Sequence, residues 1–316
     1  MNVDLAFEIG TIPLNPAKSE FARVLQTEYE SLARDLQAEQ AAVASSQRDK
    51  YGGRLDALLL MVALGNEALT WAVAHLNDSL GEDTEDAAFA RYYETLTVLA
   101  QRALTTTEEI VNLLTANLVS GARGRLRTLE EIFLVTAILA VHGQPDGAHP
   151  DLIERYREHH RVFARSLAEE LIASGALPET HNLDATTLTE LEQVRSELVG
   201  KYGKDYRSLW GWANVLFPQG TKITFSKLSN LVNVDLAAFN SLSSRHVHAS
   251  SEGWQEAVDT DSSGNLGYVA TMASGYLYMT LQAVVPVSST REDGSVDKRG
   301  SEWHEVLHDL ALRIRD

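Results

Sequence analysis

Residues 54–80 read RLDALLLMVALGNEALTWAVAHLNDSL. Leu55, Leu59, Val62, Leu69, Val73, Leu76 and Leu80 return every three or four residues, which is the period of a helix that buries one face. Gly81 follows as a stop. Upstream, Phe21, Leu25, Tyr29, Leu32 and Leu36 make a second stripe of the same period across residues 18–47, with Ser19 as its N-cap. Gly52-Gly53 separates the two stripes. The pattern therefore predicts an antiparallel helical hairpin with its turn at the glycine pair.

The helical period continues downstream. A third helix is expected from about Thr84, carrying Phe89, Tyr92, Leu96 and Leu99. Thr105-Thr106-Thr107 before Glu108-Glu109 reads as a helix start with acidic residues in the first turn. From there the apolar pattern runs to His142-Gly143, either as one long helix or as two halves meeting at Gly121 and Gly124. Asp151 should cap a helix reaching about Ser174, and further helices are expected over 186–202, 226–233, 235–248 and 301–315. No alternating run is long enough to support a sheet. The predicted fold is all-α, a multi-helix bundle with a long central helix, with an N-terminal hairpin region over 1–104 and a helical core region over 105–316 forming one continuous globular unit.

Composition narrows the function. At 316 residues, 44% hydrophobic and 22% charged, the chain can bury a large core. A net charge of −17 argues against nonspecific nucleic-acid binding, which needs clustered basic residues. The absence of cysteine removes disulfides, thiolate zinc sites, iron–sulfur clusters and cysteine nucleophiles. Met1 to Pro16 lacks the basic and apolar regions of a secretory signal. Asn265–Thr290 has no charged residue and is long enough to span a bilayer, yet Thr271, Ser274, Thr280, Gln282 and Pro286 interrupt it. A buried core helix is expected there, in a cytoplasmic protein with no membrane partner.

Several polar groups are candidates for chemistry. Arg127 and Glu131 lie four residues apart, on one helical face among Leu126, Leu129, Phe133 and Leu134. They are either an ordinary intrahelical ion pair or a guanidinium held for an anionic ligand. Ser244 and His248 are again one turn apart, and His248 can act as a base, a phosphate contact or a satisfied core residue. Arg157, Arg161 and Arg165 form a basic ridge, either a solvated face neutralised by Glu154, Glu158 and Glu169 or, with Arg123, Arg125 and Arg127, a place for phosphate. The Arg155…His160 and Arg299…His304 spacings match the pattern of helical ribonucleases only as often as chance allows. His304-Glu305-Val306-Leu307-His308 has the zinc-protease form, with two histidines one turn apart and a glutamate as general base. No third ligand follows it, and Trp303, Leu307, Leu310 and Ile314 give that helix a packing stripe of its own. No metal or cofactor is therefore expected.

Arg127-Thr-Leu-Glu-Glu131, Lys201-Tyr-Gly-Lys-Asp-Tyr206, the Trp210/Trp212 cluster, Ile223-Thr-Phe-Ser-Lys-Leu228 and Phe239-Asn-Ser-Leu-Ser-Ser-Arg-His-Val-His248 occur in that order. The order resembles the uncharacterised bacterial family called domain of unknown function 5677, over roughly residues 105–255. The resemblance implies a helical fold and matching polar positions at Arg127, Glu131, Tyr206, Ser244 and His248, with no established activity. Glu130 beside Glu131 leaves open which carboxylate fills the role. On this footing Arg127, Glu131 and His248 are the candidate catalytic residues, and Tyr206, Ser244, Arg157 and Arg161 the candidate ligand-binding residues. The leading expectation is a polar pocket for a phosphate-bearing or nucleotide-like ligand, a nucleotide or RNA, in phage defence or a stress response, in a chain free to form homo-oligomers. The alternatives are a noncatalytic helical interaction module and a zinc-dependent hydrolase using His304 and His308.

Overall fold

The computed structural model describes residues 16–79, 87–174, 184–232, 262–286, 289–290 and 296–315. Among these the architecture is all-α, with nine α-helices, three 3₁₀ segments and one antiparallel ribbon of two residues a side, Ser289–Thr290 with Val296–Asp297. The predicted helix over 235–248 lies outside the described residues.

The first helix corrects the expected hairpin. α1 runs without interruption from Pro16 to Ser79, 64 residues, and passes straight through Gly52 and Gly53. Two helical glycines cost roughly 1 kcal/mol each in backbone entropy but leave the i→i−4 ladder intact. No proline is present there to break it. The buried face also differs from the stripe of large residues. Leu59 is 45% exposed, whereas Leu58, Met61, Ala68 and Ala72 are fully enclosed. Small residues occupy this face because neighbouring helices come very close. A Cβ on Gly65 would sit 2.7 Å from a methyl of Leu104 and 2.9 Å from one of Leu281. Within α1 the span Ala33–Leu76 is long and apolar enough to cross a membrane by length and composition alone. The core-facing side of its second half is nevertheless covered by protein.

α2 spans Ala87–Thr115 and α3 Val119–His142. Thr106 and Thr107 are buried inside α2 and do not start a helix. The residue 104/105 division accordingly falls within one continuous element. α2 stops instead at Asn117, whose φ of 57° is the left-handed conformation that asparagine tolerates better than most residues. The Asn117 amide donates to Leu114 O and the Leu118 amide to Leu113 O, the pairing of a Schellman stop. The sequence suggested Gly121 or Gly124 as the break; both lie within α3.

α4 (Leu152–His159), a 3₁₀ turn (His160–Val162) and α5 (Ala164–Ser174) replace the single helix expected after Asp151. The Asp151 carboxylate makes no capping bond and takes Arg155 Nε at 2.6 Å. α6 (Ala185–Tyr202) is capped by Asp184, which accepts from Thr187 N, and stops at Gly203 with φ 90°. 3₁₀ segments at Lys204–Arg207 and Gly211–Leu216 lead to α7, Phe225–Leu231.

α8, Ser262–Gln282, is the uncharged helix. Leu266, Val269, Ala273, Leu277 and Leu281 are buried, and α1, α2, α3 and α9 surround it. α9 spans Arg299–Arg315, and its Leu307, Leu310 and Ile314 close the core as the packing stripe predicts. The bundle therefore consists of the second half of α1 with α2, α3, α8 and α9. α4 and the 3₁₀ segments lean on its α2–α3 face.

Candidate functional site

The α2–α3 face and the α4–3₁₀ layer enclose a cavity of about 380 Å³. α2 contributes Leu99 and Arg102. α3 contributes Thr128, Glu131, Ile132 and Val135, which share one face at the i, i+3, i+4, i+7 spacing. The opposite wall is Tyr156, Arg157, His159 and His160 at the end of α4, with Leu209, Trp210 and Trp212.

The aromatic wall is held from behind by a strut. Arg155 Nη1 donates to Asn214 Oδ1 at 3.0 Å, and its guanidinium lies 4.5 Å from the centre of the Tyr202 ring. Asn214 Nδ2 donates to Tyr202 O, and the Tyr206 hydroxyl donates to Arg155 O at 2.6 Å. α4 is thereby fastened to the end of α6. Tyr206 is fully buried, which pushes its hydroxyl far above the ordinary phenol range. Gly211 lets the chain return across this strut. A Cβ there would fall 2.3 Å from Tyr206 O, so any other residue would displace the backbone between Trp210 and Trp212. Trp212 meets Tyr156 edge to face, with ring centroids 5.3 Å apart.

The two histidines have different environments. His159 Nε2 lies 3.0 Å from both Tyr206 O and Ser208 O. Carbonyls only accept, so Nε2 carries the proton, and in the neutral ring Nδ1 keeps a lone pair. Burial lowers its pKa, and the two carbonyls and His160 do not reverse that direction. His160 is exposed, and its Nδ1 donates to Arg157 O at 2.9 Å, leaving Nε2 as the acceptor of the neutral form.

Charge in the cavity is mostly compensated. Arg157 Nη1 holds Glu94 and reaches Thr95 Oγ1. Arg127 Nε lies 3.4 Å from Glu131 Oε1, an i,i+4 pair with side chains 29% and 38% exposed. Arg102 differs from both. It is exposed, and among the described residues it makes no ion pair or hydrogen bond. Its charge is near enough to Tyr156 to oppose the burial that raises that hydroxyl.

The adjacent glutamates point in different directions. Glu131 lines the cavity. Glu130 is 1% exposed and turns the other way, into the α3–α8 interface, where burial and then its negative charge raise the hydroxyl pKa of both Tyr268 and Tyr276. Arg127 pairs with Glu131 but does not line the cavity. Arg161 is exposed and also lies off the lining. Arg165 belongs to a separate surface network with Glu169 and Glu192. Ser244 and His248 lie outside the described residues.

The sequence reading did not single out Arg102 or His159, and it considered His160 only within a chance spacing. A histidine pair directly before a 3₁₀ turn is a signal only once that turn is known. His304 Nε2 donates to Val285 O at 2.9 Å, and its Nδ1 is enclosed. His308 packs against Tyr278. Among the described residues no three His, Asp or Glu side chains gather as a metal site would require.

No curated protein and no solved structure matches the chain. One family model does, and it spans residues 93–265, from α2 through the cavity walls into α8. The match covers more than half of the chain, which therefore belongs to the family of unknown function DUF5677.

Proposed function

We propose that the cavity between α2–α3 and the end of α4 binds a nucleotide-like ligand carrying phosphate. One observation supports this above the others. The partly buried rings of Trp210 and Tyr156, the latter packed on the buried Trp212, share an open cleft with a guanidinium, Arg102, that no carboxylate of the described residues neutralises. Aromatic faces take heterocycles by stacking, and a guanidinium takes phosphate by a planar, charge-assisted pair of hydrogen bonds. A volume of about 380 Å³ falls in the range of small-molecule sites. With a net charge of −17, the protein gains no general electrostatic attraction for an anion, so the contact has to be local. The zinc-hydrolase alternative gains no support, because among the described residues no third His, Asp or Glu gathers with His304 and His308. A role in phage defence or stress response would suit a nucleotide-binding site, and that setting is part of the proposal.

The test is thermal melting of the wild-type chain with the four 5′-mononucleotides. Ligand at about 100 times its Kd raises stability by roughly 2.7 kcal/mol. The upshift should shrink or vanish in Arg102→Ala, an exposed position whose loss leaves packing intact. Absence of any upshift in the wild type would refute the reading.

A further inference from the structure

The cavity has a continuation. A second enclosure of about 390 Å³ opens along the same α2–α3 seam, and Arg102 and Thr128 line both. The two compartments differ in chemistry. The first has the aromatic walls, together with Glu131, Arg157 and the histidine pair; the second has no aromatic residue. The second is made of Gln101, Thr105, Thr106, Glu109 and Arg125 around Val98. Arg125 Nε pairs with Glu109 at 2.9 Å, so these two charges cancel. Thr105 Oγ1 donates to Gln101 O and keeps its lone pairs as acceptors; Gln101 uses its Nε2 on Asn66 and keeps its carbonyl oxygen. On α2 the lining runs from Val98 to Glu109, about 16 Å at the helical rise.

Building on the nucleotide reading above, we infer that the ligand is a phosphodiester-linked pair of nucleosides, with one base against the half-buried Trp210, the bridging phosphate on Arg102, and the second nucleoside in the Gln101–Thr105 compartment. Charge balance selects this class. The Arg127–Glu131, Arg157–Glu94 and Arg125–Glu109 pairs each sum to zero, which leaves Arg102, among the described residues, as the one uncompensated positive charge lining the two compartments. A phosphodiester carries a single negative charge and matches it. A triphosphate tail would bring several negative charges to one guanidinium and would leave most of the second compartment unfilled. Hydroxyl and amide acceptors suit the sugar hydroxyls and base amines of a second nucleoside better than they suit phosphate oxygens, which are themselves acceptors. The position of Arg102 at the junction, lining both spaces, is what a bridging group requires.

Isothermal titration of the intact chain at fixed ionic strength tests this with three probe sets: the four 5′-mononucleotides, the four homodinucleoside 3′,5′-monophosphates, and ATP and GTP. The expected result is a dinucleoside monophosphate binding at least about tenfold tighter than its mononucleotide, a difference of roughly 1.4 kcal/mol. Arg102→Ala should remove that advantage. Thr105→Tyr, an exposed helical position that fills only the second compartment, should reduce dinucleotide affinity to the mononucleotide level and leave mononucleotide binding unchanged. Melting curves establish that both variants fold. Mononucleotide binding with no dinucleotide advantage, or a triphosphate binding tightest, overturns the two-compartment inference while the nucleotide reading stands. No binding by any probe overturns both.

Discussion

Replacing Tyr206 with phenylalanine removes one oxygen and separates two roles for this residue. The sequence makes Tyr206 a candidate ligand-binding residue, whereas in the fold its ring is 0% exposed and its hydroxyl ends on Arg155 O at 2.6 Å. If the hydroxyl is a strut, its loss costs a buried hydrogen bond, about 0.5–1.5 kcal/mol. The upper half of that range applies, because the bond is short and fully enclosed. It goes no higher, because a carbonyl has two lone pairs and Arg155 O can still accept along α4. Unfolding entropy near 2.1 cal/mol/K per residue gives ~0.7 kcal/mol per degree for 316 residues, so Tm should fall by about 2 °C. Nucleotide affinity should hold within about twofold, since His159 Nε2 is held by the backbone oxygen of Tyr206, which the substitution retains. Paired melting and titration curves read both quantities. A tenfold affinity loss with an unchanged Tm would refute the strut and return Tyr206 to the ligand.

Two further outcomes are expected. Gly52→Ala with Gly53→Ala should raise stability by up to about 2 kcal/mol, or about 3 °C in Tm, because both positions are helical and a Cβ on either meets nothing within 4 Å; a lower Tm would reveal the turn that the sequence suggested. For His159, a folded-state pKa below the unfolded value means that the unfolded chain binds more protons just below pH 6.5, so stability is complete above that pH and declines as pH falls toward the folded pKa. Urea titrations from pH 7.5 to 5 should show this decline in the wild type and a flatter profile in His159→Gln, which cannot titrate; equal slopes would show that burial of His159 contributes nothing to acid sensitivity.

The helical architecture was legible because apolar period is a strong signal over long windows, and α8 and α9 packed on the residues that their stripes indicated. Breaks were less legible. Gly52-Gly53, Thr105-Thr107 and Gly121 carry the usual punctuation, yet all three lie inside helices. The real stop at Asn117 rests on one residue adopting a left-handed conformation, which asparagine does only when tertiary packing favours ending the helix there. The exposed Leu59 and the enclosed Gly65 teach the same lesson. Periodicity weighs side-chain size, whereas close helix crossings select residues for being small.

The site was legible in part for a related reason. Glu131 and Arg157 could be named from sequence because charged residues at helical spacing stand out, and both line the cavity. Their charges, however, are compensated by Arg127 and Glu94, and compensation by a distant residue such as Glu94 cannot be read from spacing. Arg102 is the opposite case. No acidic residue sits one turn away on α2 to draw attention to it, and among the described residues nothing pairs with it, which is why it is the proposed contact for the ligand. Patterned charge pairs satisfy each other. For the groove along α2 and α3, the residue to watch is therefore the unpatterned arginine, and substituting it should cost ligand affinity while leaving Tm nearly unchanged.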